Sequence, residues 1–293
     1  MNIFSSESMF LLHDKHFCQR KFMDSKKINV LALVITIESR FKDRFLIRRH
    51  WKPDDNSEKF LVQPLFLLGL KSLQPNSHKY LIDEQAKYKD LLIGNFSDTY
   101  KNLPFKSVMG LTWTNYYCRD YIQYILKIDD DVWTNKTRLF QIFLESPTTR
   151  FFGGNCFSKG IPVRNKKSKY YISITDYPKK FYPPSCFGPI YFFSWDILNK
   201  LFLASLKIPY FFLEDIYMGM CLQNINVTPK NIPSFANIEW PFLHCHMKDL
   251  SAVHSFKQSF HGYVNRALLY WQHEKITCPL GKYQLFRKKY YHH

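Results

Sequence analysis

The stretch "YIQYILKIDDDVWTNKTRLF", residues 121–140, decides the fold. An apolar, strand-like run ends there in three adjacent carboxylates, Asp129, Asp130 and Asp131, inside a chain whose formal net charge is +17. Adjacent carboxylates repel one another unless solvent or a cation neutralises them, so the triplet is either a solvated turn or one wall of a metal site. In the first reading Asp131 or Thr134 caps a helix that begins near Asn135. In the second, Asp129 and Asp131 offer hard oxygen ligands to Mg²⁺ or Mn²⁺, shared with substrate phosphates. An EF-hand loop is excluded, because Trp133 stands where a third oxygen ligand belongs and the required glycine is missing.

Further apolar runs lie at 30–37 ("VLALVITI"), 60–70 ("FLVQPLFLLGL") and 187–194 ("FGPIYFFS"), short and rich in β-branched or aromatic residues, as buried strands are. Between them come segments with helical spacing. In "SRFKDRFLIRRHW", Phe41, Phe45 and Ile47 or Leu46 are expected to face the core, with Arg40, Arg44 and Arg48 on another stripe. In "SDTYKNLPFKSVMGLTWTNYYC", Ser97 or Asp98 is the expected cap, and Val108, Met109, Leu111 and Trp113 form the apolar face. Alternating strands and helices imply an α/β layer architecture with a largely parallel sheet. Ligands of such sheets sit outside the carboxyl ends of the strands, where the aspartates fall.

Two other motifs carry chemistry. In "IPYFFLEDIYMGMCL" an aromatic run precedes Glu214 and Asp215. A desolvating wall raises a carboxylate's pKa toward a general base's value, while the plainer reading is two acids in a helix's first turn. In "FLHCHMKDLSAVH", His244 and His246 are two apart, a poor zinc pair on a helix, and are read as packing or surface residues.

With 293 residues, 46% hydrophobic and 18% aromatic, the chain can bury a large core. Forty-one Lys and Arg against 24 Asp and Glu attract anions, whether nucleic acid, an acidic membrane surface or phosphorylated small molecules. No nucleic-acid-binding motif accompanies that charge. The longest clean aliphatic run, 30–37, is far shorter than the roughly 18–20 residues of a membrane-spanning helix. The first 27 residues lack a secretory signal's apolar stretch and cleavage site. Seven scattered cysteines without a C-x-x-C pair fit either buried thiols in a reducing compartment or at most three disulfides and one free thiol in an oxidising one. Sequons at Asn95, Asn135 and Asn226 discriminate little.

Taken in order, the segments "SRFKDRFLIRRHW", "LFLLG", "DEQAKYKDLLIGNFSDTYKNLPFKS", "LKIDDDVWTN", "YPPSCFGPIYFFS" and "FLEDIYMGMCL" resemble the β-1,3-galactosyl- and N-acetylglucosaminyltransferases, glycosyltransferase family 31. The resemblance implies a single-domain GT-A fold, a Rossmann-like central sheet flanked by helices, over residues 28–275, after an N-terminal extension (1–27) and before a basic tail (276–293). It also implies an inverting hexosyltransferase that moves galactose or N-acetylhexosamine from a UDP-sugar to a glycan acceptor in β-1,3 linkage, with Mn²⁺ or another divalent cation. Asp131 would be the principal metal ligand, joined by Asp129 and His254. Arg44, Arg48, Lys106, Asp129 and Asp130 would contact the donor, Asp215 would be the base, and Glu214 would orient the acceptor.

The family further implies a Golgi lumen or membrane location, membrane association and a homodimer, with no nucleic-acid partner; its usual anchor is expected upstream of an incomplete N-terminus. One departure stands out. In "CFGPIY", Phe187, Pro189 and Ile190 replace small residues of the acceptor strand, so the alternative is a catalytically impaired UDP- or glycan-binding protein.

Overall fold

The computed structural model describes residues 9–23, 25–52, 59–74, 76, 78–237 and 250–254. The central layer is an eight-stranded mixed sheet. Its parallel heart is β2 (Ile28–Ile35), β3 (Phe60–Leu70), β4 (Leu91–Asn95) and β5 (Tyr124–Asp129). Onto β5 the long strand β8 (Ser185–Ser194) adds antiparallel, followed outward by β7 (Phe152–Phe157) and the short β9 (Lys230–Asn231). At the opposite edge β1 (Phe10–Leu12) pairs antiparallel with β4. The full order is β1-β4-β3-β2-β5-β8-β7-β9. The sheet is therefore mixed, parallel from β4 to β5 and again between β7 and β9 and antiparallel elsewhere, where a largely parallel one was expected; hydrophobic runs locate strands without stating their direction.

Strand β2 shows how the pattern builds two layers. Leu31, Leu33 and Ile35 join the core on one face, and Val30, Ala32 and Val34 the core on the other, the period of two expected of a pleated strand. On the first face lie α1 (Phe17–Phe22), α4 (Leu103–Tyr117), α6 (Leu198–Lys207) and α7 (Glu214–Asn224). On the second lie α2 (Phe41–His50), α3 (Lys79–Tyr88) and α5 (Lys136–Glu145). Helix α4 is buried nearly all round because it is covered by the sheet beneath and by α6 and α7 beside it. Pro104 sits in its first turn, where a missing N–H costs nothing.

The core begins earlier than residue 28. Phe17 and Phe22 of α1 are buried, and a Cys18–Cys118 disulfide ties α1 to the end of α4, so much of the expected extension belongs to the fold. A second disulfide, Cys156–Cys186, joins β7 to β8, while Cys221 is a buried free thiol. Two pairs of this kind match the oxidising alternative. The tail at 276–293 and the pair His244 and His246 lie outside the described residues.

A small sheet finishes the architecture: β10 (Phe235–Asn237), β11 (Ala252–His254) and β6 (Val132–Thr134) in that spatial order. It lies directly after the aspartate triplet and carries His254 to it.

Candidate active site

Parallel strands β2 and β5 end together, with Ile35 opposite Asp129, so the triplet emerges at the carboxyl edge of the sheet. The three carboxylates then go separate ways. Asp129 receives the Lys127 ammonium at 2.6 Å. Asp130 turns inward, accepting from the Thr36 hydroxyl at 2.7 Å and from Arg40 at 2.8 Å, and so fastens the loop that follows β2. Burial pushes its carboxyl up to about 7, against the pull of Thr36 and Arg40. Asp131 faces His254, its Oδ1 3.4 Å from the imidazole Nε2. That oxygen is buried and has no hydrogen-bond partner among the described residues. Neither Asp131 nor Thr134 caps the next helix, since Asn135 does so by accepting the Arg138 N–H at 3.3 Å.

A buried carboxylate oxygen without a donor, set against an imidazole, is a donor set that fits a hard or borderline cation. Among the described residues no group of three potential ligands converges to cage an ion.

The second acidic motif opens α7. Glu214 is buried and accepts from Ser107 of α4 at 2.6 Å and from the Tyr191 hydroxyl of β8 at 2.7 Å, both on Oε1. It locks the start of α7 to two other elements. Asp215 is partly exposed and accepts its neighbour's N–H, Ile216, at 2.9 Å. Burial first and the adjacent Glu214 second push its carboxyl up to about 6, the range of a usable base near neutral pH.

Lys127 joins the two motifs. Its ammonium holds Asp129 on one side and the Gly188 carbonyl of β8 on the other. Gly188 lies against the acid pair: a Cβ there would stand 3.4 Å from Glu214 Oε2 and 3.9 Å from the Asp215 Cβ. Burial opposes the lysine's charge, but Asp129, Glu214 and Asp215 together outweigh it and raise its pKa. The sequence carried a sign of this residue, a lone lysine between Leu126 and Ile128 in a buried strand, which demands an anionic partner. Thr36, Ser107 and Tyr191 gave no comparable sign, being ordinary polar residues until the fold brings them together.

The arginines of α2 are placed differently from the expectation. Phe41 and Phe45 are exposed, and the arginine stripe faces inward. Arg44, fully buried, makes a two-point pair with Glu84 of α3 at 2.9 and 2.6 Å and donates to the Ile37 and Glu38 carbonyls. Arg48 pairs with Glu84 and with both oxygens of Asp90, its guanidinium stacked over Phe66 and Tyr88. Both guanidinium groups are engaged by the protein itself, because two buried carboxylates offset the cost of burying them. Arg44 thereby holds the loop after β2, whereas Arg48 ties α2 to Glu84 and Asp90, and its buried Nη1 has no hydrogen-bond partner among the described residues.

Lys106 is also buried, bonded to Asp98 at 2.7 Å and to the Thr36 carbonyl. Burial lowers its pKa against the field of Asp98. Asp98, an expected helix cap, instead accepts the Gly69 N–H and this lysine.

The galactosyltransferase family model matches residues 42–233. The chain is 30% identical over 279 residues to beta-1,3-galactosyltransferase 5 of Pan troglodytes, covering 93% of this chain and 91% of that protein. It is 30% identical over 249 residues to beta-1,3-galactosyltransferase 1 of Homo sapiens, covering 84% and 74% respectively. Among solved structures it is similar, at a TM-score of 0.41 and 11% identity, to a glycosyltransferase involved in the glycosylation of the major capsid of PBCV-1, over 82% of this chain and 98% of that one.

Proposed function

This chain belongs to the galactosyltransferase family of the β-1,3 type, and on that premise we propose that it transfers galactose from a UDP-sugar to a hydroxyl of a glycan acceptor, with inversion, in β-1,3 linkage. The observation that supports this most is the bridge through Lys127 and Gly188, which links an aspartate edge suited to a cation with an acid pair suited to base catalysis.

Asp131 and His254 would hold the cation, which when bound supplies charge neutralisation for the departing diphosphate. Lys127 fixes Asp129 beside them and keeps its charge compensated. Asp130, tied to Thr36 and Arg40, holds the loop at the end of β2 in the shape the nucleotide meets. Asp215 takes the proton from the attacking hydroxyl, a role its raised pKa suits near neutrality. Glu214 orients the acceptor side indirectly, by anchoring α7 through Ser107 and Tyr191.

The altered acceptor strand is accommodated. Phe187 packs on Phe157 with ring centroids 5.1 Å apart, and Pro189 falls where the β7–β8 register shifts, a place where a missing N–H is tolerated. Gly188 keeps the backbone close to the acid pair. The two disulfides support a lumenal, oxidising compartment, with the Golgi as the family's usual one. No helix among the described residues is long and apolar enough to cross a membrane.

The test is Mn²⁺ binding followed by electron paramagnetic resonance in the presence of UDP. Wild type binds, and Asp131→Asn weakens binding at least about tenfold with the fold intact. Unchanged binding in that variant removes Asp131 from the metal site.

A further inference from the structure

Between β7 and β8 the chain makes an excursion, residues 158–184, whose base is closed by the Cys156–Cys186 disulfide. Its interior is well tied. Arg164 donates to the carbonyls of Ile172 at 2.9 Å, Ser173 at 2.7 Å and Tyr177 at 2.7 Å, and the Tyr182 N–H reaches the Gly160 carbonyl at 2.8 Å. Ile172, Tyr177 and Tyr182 are buried beneath. The fixed backbone displays Lys159, Lys166, Lys167, Lys169, Lys179 and Lys180, all exposed. Asp176 is the segment's one acidic residue, and its carboxylate is occupied by the Ser173 hydroxyl at 2.6 Å. Among the described residues none of the six lysines has an ion-pair partner.

The excursion returns into β8 just before Gly188, which lies against the acid pair. Next to one of the six lysines is an aromatic surface. Lys169 Nζ lies 5.4 Å from the Tyr100 ring centroid and 4.8 Å from that of Tyr170, and the two exposed rings meet edge to face at 6.3 Å. Burial, Tyr170 and then Asp215 and Glu214 raise the Tyr100 phenol's pKa, which sets this surface within the field of the acid pair. Exposed aromatic faces take the apolar face of a sugar ring, while cations beside them take an acid.

We propose that the acceptor is an anionic glycan, whose sugar lies on Tyr100 and Tyr170 and whose sulfate, phosphate or carboxylate group is held by the lysines of residues 158–184. The proposal rests on the galactosyltransferase reading and names the class of acceptor that reading leaves open. A neutral acceptor has no use for six uncompensated charges, whose mutual repulsion a bound anion relieves.

The experiment pairs one neutral galactosyl- or N-acetylhexosaminyl-terminated oligosaccharide with the same oligosaccharide carrying a single sulfate ester. In low salt the sulfate lowers KM about tenfold, and the advantage shrinks as ionic strength rises. Replacing three lysines together, Lys166→Gln, Lys167→Gln and Lys169→Gln, raises the KM for the sulfated acceptor to that of its neutral partner, with an unchanged circular dichroism spectrum and Tm. Equal KM values for the two acceptors in wild type overturn the proposal. So does a triple variant whose donor KM alone rises, which assigns the lysines to steering the diphosphate.

If no acceptor is glycosylated, the transferase reading fails and calorimetry with the sulfated oligosaccharide alone decides this one. Binding that the triple variant loses upholds the anionic-glycan site, and no binding overturns it. Sedimentation with phosphatidylserine vesicles that the sulfated oligosaccharide does not compete assigns the patch to a membrane surface and likewise overturns it.

Discussion

Replacing Asp215 with Asn should abolish transfer and stabilise the protein at the same time. The carboxyl's pKa is raised from 3.8 to about 6 by burial and by Glu214, so the folded state favours its protonated form. The stability gained from that preference is fully present below about pH 4 and is lost as pH rises through about 6. At about 1.4 kcal/mol for each tenfold change in proton affinity, the ionised carboxylate costs the fold up to about 3 kcal/mol at pH 7.5, less what solvent at its exposed edge screens.

Asn is neutral at every pH and keeps an oxygen for the Ile216 N–H. Urea unfolding should therefore find Asp215→Asn more stable than wild type by about 1–3 kcal/mol at pH 7.5, with the gap closing near pH 4. The same carboxylate must be ionised to accept a proton, so wild-type kcat/KM should rise across an acid limb centred near pH 6. In the variant kcat falls by at least about a hundredfold. A stability gain of equal size at both pH values would refute the electrostatic reasoning, and retained turnover would refute the role of the base.

Further predictions come from the buried ion pairs and cross-links. Glu84→Ala leaves the fully buried Arg44 without its carboxylate and should cost about 3–5 kcal/mol in denaturant unfolding, whereas Arg44→Met combined with Glu84→Leu should cost much less. Lys127→Met frees Asp129 and the Gly188 carbonyl together, so Mn²⁺ affinity measured in the presence of UDP should change as well as kcat; a change in neither would contradict the bridging role. Cys18→Ser should lower stability by about 2–4 kcal/mol without moving the donor KM, since Cys118 precedes the start of β5 whereas the aspartates lie at its other end.

What the sequence revealed and what it concealed have separate physical causes. Strands β2, β3, β5 and β8 were legible because burial on both faces requires continuous apolar runs. The direction of β8 was not, since hydrophobicity is the same read up or down a strand. Helix α2 was found, and Ile47 faces the core as expected, but Phe41 and Phe45 are exposed, and Arg44 goes inside because Glu84, some 40 residues away, meets it there. Partners so distant in sequence leave no periodic trace. Strand β1 and helix α1 escaped notice because three and six residues are too short for a hydrophobic period to show. The aspartates and the acid pair were visible as chemistry from the start, while their connection through Lys127 and Gly188 exists only in the folded chain.

With Asp215 as base and a cation at Asp131 and His254, transfer would be a single displacement at the anomeric carbon. The measurement that meets it most directly is nuclear magnetic resonance of the product formed from UDP-galactose, an α-linked donor, in the presence of Mn²⁺. A β anomeric coupling with the new bond at the acceptor's position 3 is the predicted result. An α product, or equal product yield after chelation of all divalent cations, would contradict it.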